Sequence, residues 1–172
     1  MPSTKEIQNV ELQLLDLNDY AELKAAMISA YKTMPDSYWK EHHISTLIKK
    51  FPDGQAVIKV DGKIAGCALC IIVDWDKTLD NHTYKDITKD YTFDSHTSKG
   101  DMLYGIDVFI KPEFRGLRLG RRLYDYRKEL CETLNLKGIA FGGRIPGYHK
   151  YADKLSPKEY IGKVRLKEIM DP

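Results

Sequence analysis

A chain of 172 residues with 42% hydrophobic and 30% charged residues has the composition of one globular domain with a substantial core. Its formal net charge of +2 is too small for an obligate nucleic-acid binder, a class that usually carries a strong basic excess. No apolar run approaches the ~18 residues of a membrane span, and residues 1–6 lack the apolar core of a signal peptide. We therefore expect a cytoplasmic protein without membrane or nucleic-acid partners.

The first fifty residues predict one strand followed by two helices. Residues 10–15 alternate as a strand, and Asp19 with Glu22 three residues later forms a capping-box pattern at a helix start. A second helix fits residues 37–51, in which one stripe carries His43. In that position a histidine is expected to pack at the edge of the core rather than to act as a ligand.

A β-hairpin and a long polar segment follow. Residues 56–60 and 64–73 are rich in β-branched side chains and are joined by Asp-Gly-Lys at 61–63, a strong hairpin signal. Residues 74–100 are polar, with aromatic residues spaced through them, and are long for a connection, which is typical of a functional segment. The chain resumes as a strand at 102–110.

The three cysteines do not form the framework of a secreted disulfide protein, because they are few and odd in number. Cys67 and Cys70 have the spacing of half a zinc site, but they lie in an apolar run and no second pair of cysteines or histidines accompanies them. On a strand, positions three apart point to opposite faces of the sheet. We expect buried structural cysteines and no metal site.

The carboxy-terminal third predicts a helix after residue 118, a short strand at 139–141 and a last helix capped by Ser156. The element order is β-α-α-β-β-loop-β-α-β-α, with no internal repeat and no linker. This order predicts a single α/β domain over residues 1–172, built around a mixed sheet and carrying a long polar insertion at 74–100.

The turn between the strand at 102–110 and its helix has the features of an anion site. Backbone N–H groups at a helix start lack intrahelical partners, and Gly116 and Gly120 let the backbone approach a diphosphate closely. The local charge is +5, from seven basic residues against two acidic ones: Lys111, Arg115, Arg118, Arg121, Arg122, Arg127 and Lys128 against Glu113 and Asp125. From the spacing alone, a solvated helix start that happens to be basic remains an alternative.

The sequence from 107 to 123 resembles the acyl-CoA-binding motif of the GNAT superfamily of N-acyltransferases. The family pattern is Gln/Arg-x-x-Gly-x-Gly/Ala, which Arg115 and Gly120 match, while Arg118 stands where the first glycine is usual. In an ordinary right-handed conformation an arginine would cost little at that position, and its side chain could add a phosphate contact. The resemblance also implies a mostly antiparallel mixed central sheet flanked by helices.

Two further strings, at 72–76 and 142–154, resemble the acyltransferase module that precedes a carbon–nitrogen hydrolase (nitrilase-like) domain in some bacterial bifunctional proteins. The chain carries no hydrolase half, and whether it is a stand-alone form or an excised module stays open. Its oligomeric state also stays open, and both a homodimer and an association with such a hydrolase domain are compatible with the resemblance.

The resemblance implies acetyl-CoA as the acyl donor. The strand before the turn would supply backbone groups to the pantetheine arm, and the turn would bind the pyrophosphate. The matching positions are Val108, Phe109, Ile110, Arg115, Gly116, Leu117, Arg118, Leu119, Gly120 and Arg121.

The acid and the base are less narrowly defined. A tyrosine after the fifth strand often reprotonates the thiolate in this superfamily, and Tyr148 and Tyr151 lie in that segment. Asp107 lies in an apolar strand, where a carboxylate is costly unless it is paired or faces a cleft; it is either a base or the partner of an arginine. Tyr104, expected on the opposite strand face, is a weaker candidate, and His149 is as well explained as a solvated loop residue.

The acceptor is expected to be a small-molecule or peptide amine. Asp74 and Asp76 flank Trp75, and an aromatic ring between carboxylates can hold an ammonium group. A solvated loop explains the same residues. The sequence thus predicts an enzyme that transfers an acetyl or short acyl group to a primary amine by direct attack in a ternary complex. The alternative is a non-catalytic CoA-binding or regulatory module associated with a nitrilase-like hydrolase.

Overall fold

The computed structural model of the chain describes residues 9–34, 36–78 and 81–171. They fall into two compact units, Met1–Phe141 and Gly142–Pro172. The first unit contains the strands and helices β1 (Val10–Leu14), α1 (Tyr20–Ala30), α2 (Glu41–Lys50), β2 (Gln55–Val60), β3 (Lys63–Val73), α3 (Tyr84–Thr88), β4 (Met102–Ile110), α4 (Leu119–Thr133) and β5 (Gly138–Phe141). The second contains α5 (Pro157–Arg165), which Ser156 and Glu159 cap as predicted.

The sheet has the order β1-β2-β3-β4-β5 and confirms the predicted mixed, mostly antiparallel architecture. The first four strands are antiparallel neighbours, and β5 runs parallel to β4. Asp61 and Gly62 both have positive φ, +48° and +78°, as the tight turn between β2 and β3 requires. The pairing of β5 with β4 ends at Gly105↔Phe141, so among the described residues no strand lies beside residues 106–110 of β4 on that side.

A β-bulge interrupts β4 at the point where β5 ends. Leu69 pairs with Asp107 and Cys70 with Gly105, which leaves Ile106 as the extra residue. As a result Tyr104, Ile106 and the Asp107 carboxylate all face the same side of the sheet. The predicted placement of Tyr104 and Asp107 on opposite faces is therefore wrong, because it assumed uninterrupted alternation.

Helices cover both faces of the sheet. The face that carries α1 and α2 buries the larger core cluster, which includes Cys67, whereas Cys70 packs in a second cluster with residues of α4. The predicted opposite orientation of these two cysteines is confirmed, and both are buried. Among the described residues, no group of three or more histidine, cysteine or acidic side chains is arranged to hold a metal ion.

Two helix starts differ from the sequence prediction. Glu22 does not cap α1, because its carboxylate accepts a hydrogen bond from the backbone N–H of Ile64, and Asp19 instead pairs with Lys59 at 3.1 Å. The second predicted helix begins at Glu41 rather than at residue 37. Each helix in the described part of the chain is too short or too polar to span a lipid bilayer.

Candidate functional site

The gap beside β4 leads directly to the start of α4. Within the described ranges, no strand lies beside residues 106–110 of β4 on the β5 side, and we call this open side the gap; the chain then turns into α4 within eight residues. The first turn of α4 contains no acidic residue, and its N-cap side chain makes no hydrogen bond to the helix. Open N–H groups and the positive end of the helix dipole therefore lie next to the open edge of a strand.

The backbone of the turn is left-handed at two positions. Gly116 has φ +89°, which glycine adopts without strain, and Arg118 has φ +58° at the N-cap of α4. Arg118 is therefore not in the right-handed conformation in which an arginine would cost little. An arginine in this region costs about 1 kcal/mol relative to an unstrained residue. The turn thus keeps the glycine-type geometry of the family pattern although its residue is arginine.

The positive charge of the turn is mostly exposed. Arg115, Arg118 and Arg121 are exposed, and Nε of Arg115 donates to the carbonyl oxygen of Ile110 at 3.3 Å. Lys111 pairs with Glu113 at 2.7 Å, and this contact lowers the pKa of the glutamate. The residues predicted to bind CoA, at 108–110 and 115–121, therefore lie on the open edge of β4, the turn and the first turn of α4, and among them the side chains of Phe109 and Leu119 are buried.

Asp107 extends from the bulge on the α1–α2 face. One of its carboxylate oxygens accepts a hydrogen bond from the hydroxyl of Tyr31 at 2.5 Å, and the other accepts from Nε1 of Trp39 at 3.1 Å. The alternative of an arginine partner is wrong for the side chain, because Arg127 contacts the backbone carbonyl of Asp107 instead. A carboxylate held by two donors has further lone pairs for a third group.

Aromatic side chains surround this carboxylate. We call Tyr31, Trp39, Tyr84, Tyr91 and Phe93 the aromatic cluster; the ring of Trp39 lies 5.6–6.1 Å from those of Tyr84, Tyr91 and Phe93. Tyr84 is 43% exposed, yet its hydroxyl donates to the carbonyl of Ile106 at 2.7 Å, and burial of that hydroxyl near Asp107 raises its pKa. An anionic group among aromatic faces is an environment that suits an amine.

The place of the aromatic cluster in the site is not evident from the sequence. The partners of Asp107 are 76 and 68 residues away in sequence, so no local pattern connects them. The only available signal was the spacing of aromatic residues through 74–100, where Tyr84, Tyr91 and Phe93 occur.

A buried arginine supports the bulge from the α4 face. Arg127 is only 1% exposed, and its guanidinium donates to the carbonyls of Leu69 and Asp107 at 3.1 and 2.5 Å and contacts Sγ of Cys70. A Cβ atom on Gly105 would lie 3.1 Å from this guanidinium, so the strand approaches α4 closely here. The guanidinium thereby fixes the segment of β4 at which β5 departs.

The predicted acceptor residues lie at the end of β3. Asp74 pairs with Lys77 at 2.7 Å, which lowers the pKa of Asp74, and Asp76 is exposed. The ring of Trp75 packs edge-on against His82 at 6.4 Å. Asp94 of the same segment pairs with Lys50, and Asp101, directly after it, pairs with Lys137, so three ion pairs favour a structural role for part of the acidic charge. A role for Asp74, Trp75 and Asp76 in acceptor binding stays a prediction.

The two predicted acids belong to the second unit. Tyr148 donates its hydroxyl to the carbonyl of Leu155 at 2.8 Å, and both Tyr148 and Tyr151 pack against the ring of Tyr160, at 5.6 and 5.4 Å. These contacts give both tyrosines a structural role within their own unit. Their role as acid stays a prediction.

Comparison with known proteins places this geometry in a family context. The model of the acetyltransferase (GNAT) family matches residues 20–146, which include the sheet beyond β1, the bulge and the turn. The loading GNATL domain of CurA from Lyngbya majuscula superposes with a TM-score of 0.78 at 23% identity, over 96% of this chain and 80% of that one.

Two curated relatives come from Bacillus subtilis (strain 168). The chain is 40% identical over 134 residues to the probable hydrolase YhcX and 31% identical over 134 residues to the uncharacterized N-acetyltransferase YkwB. Each match covers 78% of this chain, but only 26% of YhcX and 59% of YkwB. The chain therefore spans less than two thirds of either relative.

Proposed function

Because this chain belongs to the acetyltransferase (GNAT) family, we propose that it transfers an acetyl or other short acyl group from a coenzyme A thioester to a primary amine. The observation that carries the proposal is the gap between β4 and β5. It opens beside residues 106–110 and ends at the uncapped start of α4. An extended arm can add to a strand edge while its diphosphate binds at a helix start.

In this proposal the donor lies along β4 and the turn. Backbone groups of Val108, Phe109 and Ile110 pair with the pantetheine arm, and one N–H polarises the thioester carbonyl. Residues 115–121 hold the pyrophosphate through N–H groups and exposed guanidinium groups. The fixed bulge at Ile106 keeps the open edge in one position before the donor binds.

The acceptor amine approaches from the aromatic cluster. The carboxylate of Asp107 draws in an ammonium ion and takes its proton, and the free amine then attacks the thioester carbon directly in a ternary complex. The tetrahedral intermediate loses a second nitrogen proton to solvent and collapses to the amide and a CoA thiolate, which takes a proton from an acid. Tyr148 and Tyr151 are the acids that the family resemblance implies.

A second candidate function is a CoA-binding or regulatory module associated with a nitrilase-like hydrolase. The 40% identity to the probable hydrolase YhcX, of which this chain spans only 26%, favours it. This function also uses the turn and the gap to bind CoA, but it requires neither a general acid nor a general base.

Release of free thiol from acetyl-CoA over a panel of amines tests the proposal. We expect at least one primary amine to raise thiol release above the rate with water alone, and Asp107→Asn to remove that increase. Binding of acetyl-CoA without amine-dependent thiol release from any member of a broad panel would support the module instead. Tyr126→Phe is a matched control, because the Tyr126 hydroxyl contacts the carbonyl of Asp53 on the other face of the sheet.

A further inference from the structure

A histidine and a tyrosine form a hydrogen-bonded pair at the edge of the gap. Nε2 of His82 lies 2.7 Å from the hydroxyl oxygen of Tyr104, and the two rings meet edge to face with centroids 5.4 Å apart. Tyr104 is on β4, one residue before the last pair that β4 makes with β5. The bulge directs its side chain to the same face as the Asp107 carboxylate.

The pair joins a buried hydroxyl to an open cavity. Tyr104 is 4% exposed, whereas His82 is half-buried and lines a cavity of about 610 Å³, together with some of the residues of 73–78 and 86–99. An imidazole ring can take up a proton at one nitrogen and release one from the other, so His82 is a group of the right type to link the cavity to Tyr104. Burial raises the pKa of Tyr104, which keeps its hydroxyl protonated at neutral pH.

The hydrogen-bond partner of its hydroxyl distinguishes Tyr104 from Tyr31 and Tyr84 on the same face of the sheet. The hydroxyl of Tyr31 donates to the Asp107 carboxylate, and that of Tyr84 donates to the backbone carbonyl of Ile106. The backbone carbonyl of Ile106 carries no proton for a phenolate, and the proposed reaction already assigns the Asp107 carboxylate to the acceptor amine. An imidazole can both accept a proton and supply one.

We propose that Tyr104 is the acid that protonates the departing CoA thiolate and that His82 reprotonates Tyr104 from the cavity. The inference rests on the proposed acyl transfer and names, for that reaction, a different acid from Tyr148 or Tyr151. The C–S bond of the tetrahedral intermediate breaks, and its electron pair stays on sulfur. The sulfur takes the hydroxyl proton of Tyr104, the phenolate takes a proton from His82, and His82 regains one from water in the cavity.

Two calorimetric titrations at constant pH test the contact between Tyr104 and sulfur without an acceptor. The probes are coenzyme A and dethio-coenzyme A, which lacks the sulfur atom. We expect the wild-type chain to bind coenzyme A more tightly than the dethio form, by roughly 2- to 10-fold for one hydrogen bond. Tyr104→Phe should abolish this difference and bind both probes alike, while the control Tyr126→Phe should preserve it.

Measurement of kcat with the most active amine of the panel tests the proposed proton transfer from His82 to Tyr104. Tyr104→Phe should lower kcat roughly 10²-fold or more with little change in acetyl-CoA affinity, as expected for loss of a general acid. His82→Gln should lower kcat by about 10-fold or more while the preference for coenzyme A over its dethio form remains. If Tyr104→Phe fails to fold, His82→Gln carries the test, since His82 lies in a surface segment.

The outcomes separate this inference from the function on which it rests. If wild-type chain binds neither probe, the proposed function fails and the inference fails with it. If coenzyme A binds and Tyr104→Phe keeps the sulfur preference, or if His82→Gln keeps full kcat, the inference is overturned while the proposed function stands.

Discussion

The indole Nε1 of Trp39 donates a hydrogen bond to the carboxylate of Asp107 across 3.1 Å, and this contact joins the segment before α2 to the bulge in β4. Tyr31, at the end of α1, donates to the other carboxylate oxygen. The Asp107 carboxylate is thereby fixed beside the strand edge at which β5 departs. A carboxylate in this position is oriented before any acceptor arrives.

Asp107→Asn should lower kcat for amine acylation roughly 10²-fold or more, because an amide does not take the proton that the acceptor ammonium must lose before its amine can attack. The affinity for acetyl-CoA, measured by calorimetry, should change little. Tyr31→Phe removes one donor but keeps the carboxylate, so its kcat should fall far less. Equal losses in the two variants would mean that Asp107 acts only as a structural acceptor.

Arg127→Met should destabilise the chain by about 2–4 kcal/mol, because it leaves the carbonyls of Leu69 and Asp107 without their donor in a buried site. For a chain of this length we expect a fall in Tm of roughly 4–15 °C in thermal unfolding.

Arg121→Met is the matched control for that substitution. Arg121 lies on the exposed surface of the same helix, and its contact with Asp125 spans 3.9 Å, so its Tm should change by about 1 °C or less. If Arg127→Met had the same Tm as Arg121→Met, the Arg127 guanidinium would not stabilise the bulge.

Arg118→Gly and Arg118→Ala both remove the charge at the N-cap of α4, but only glycine relieves the left-handed backbone. The glycine variant should be the more stable of the two by up to about 1 kcal/mol in denaturant unfolding. Both should bind acetyl-CoA about 2- to 5-fold more weakly than the wild type, as for loss of an exposed charge. Equal stability of the two variants would show that the turn does not impose positive φ at this residue.

His96 should make stability depend on pH. Its Nδ1 accepts the backbone N–H of Ile72, its ring stacks on Phe51, and burial lowers its pKa in the folded state. The unfolded chain therefore binds the proton more readily, and the stabilisation present above pH ~6.5 is lost as the pH falls through and below that value. Thermal unfolding should show a lower Tm at pH 5 than at pH 7.5.

His96→Asn keeps an acceptor for Ile72 but does not titrate, so it should reduce the difference in Tm between the two pH values. Part of the difference should remain, because burial also lowers the pKa of His43. An unchanged difference in this variant would assign the pH dependence to other groups.

Local patterns predicted the fold well where one element determines the next. The strand at 102–110 was predicted to the residue, and the helix after the turn and the hairpin at 61–63 were close to their predicted bounds, because periodicity and turn residues act over short distances. The opposite orientation of Cys67 and Cys70 followed from strand geometry alone.

The site was less predictable because its geometry depends on distant pairing. The bulge at Ile106 arises from the register between β3 and β4, and it reverses the expected relation of Tyr104 to Asp107. The donors to Asp107 come from α1 and the segment before α2, which no spacing near residue 107 reveals. The capping of α1 was predicted wrongly for a similar reason, since the Glu22 carboxylate instead accepts a hydrogen bond from the backbone of β3.

Calorimetric titration with acetyl-CoA tests the central claim, that the gap beside β4 and the start of α4 form a donor site. We predict binding at one site per chain with a Kd in the micromolar range, and much weaker binding of acetyl-pantetheine, which lacks the pyrophosphate for residues 115–121. Absence of any binding heat at millimolar acetyl-CoA would contradict the account, for the enzyme and for the CoA-binding module alike.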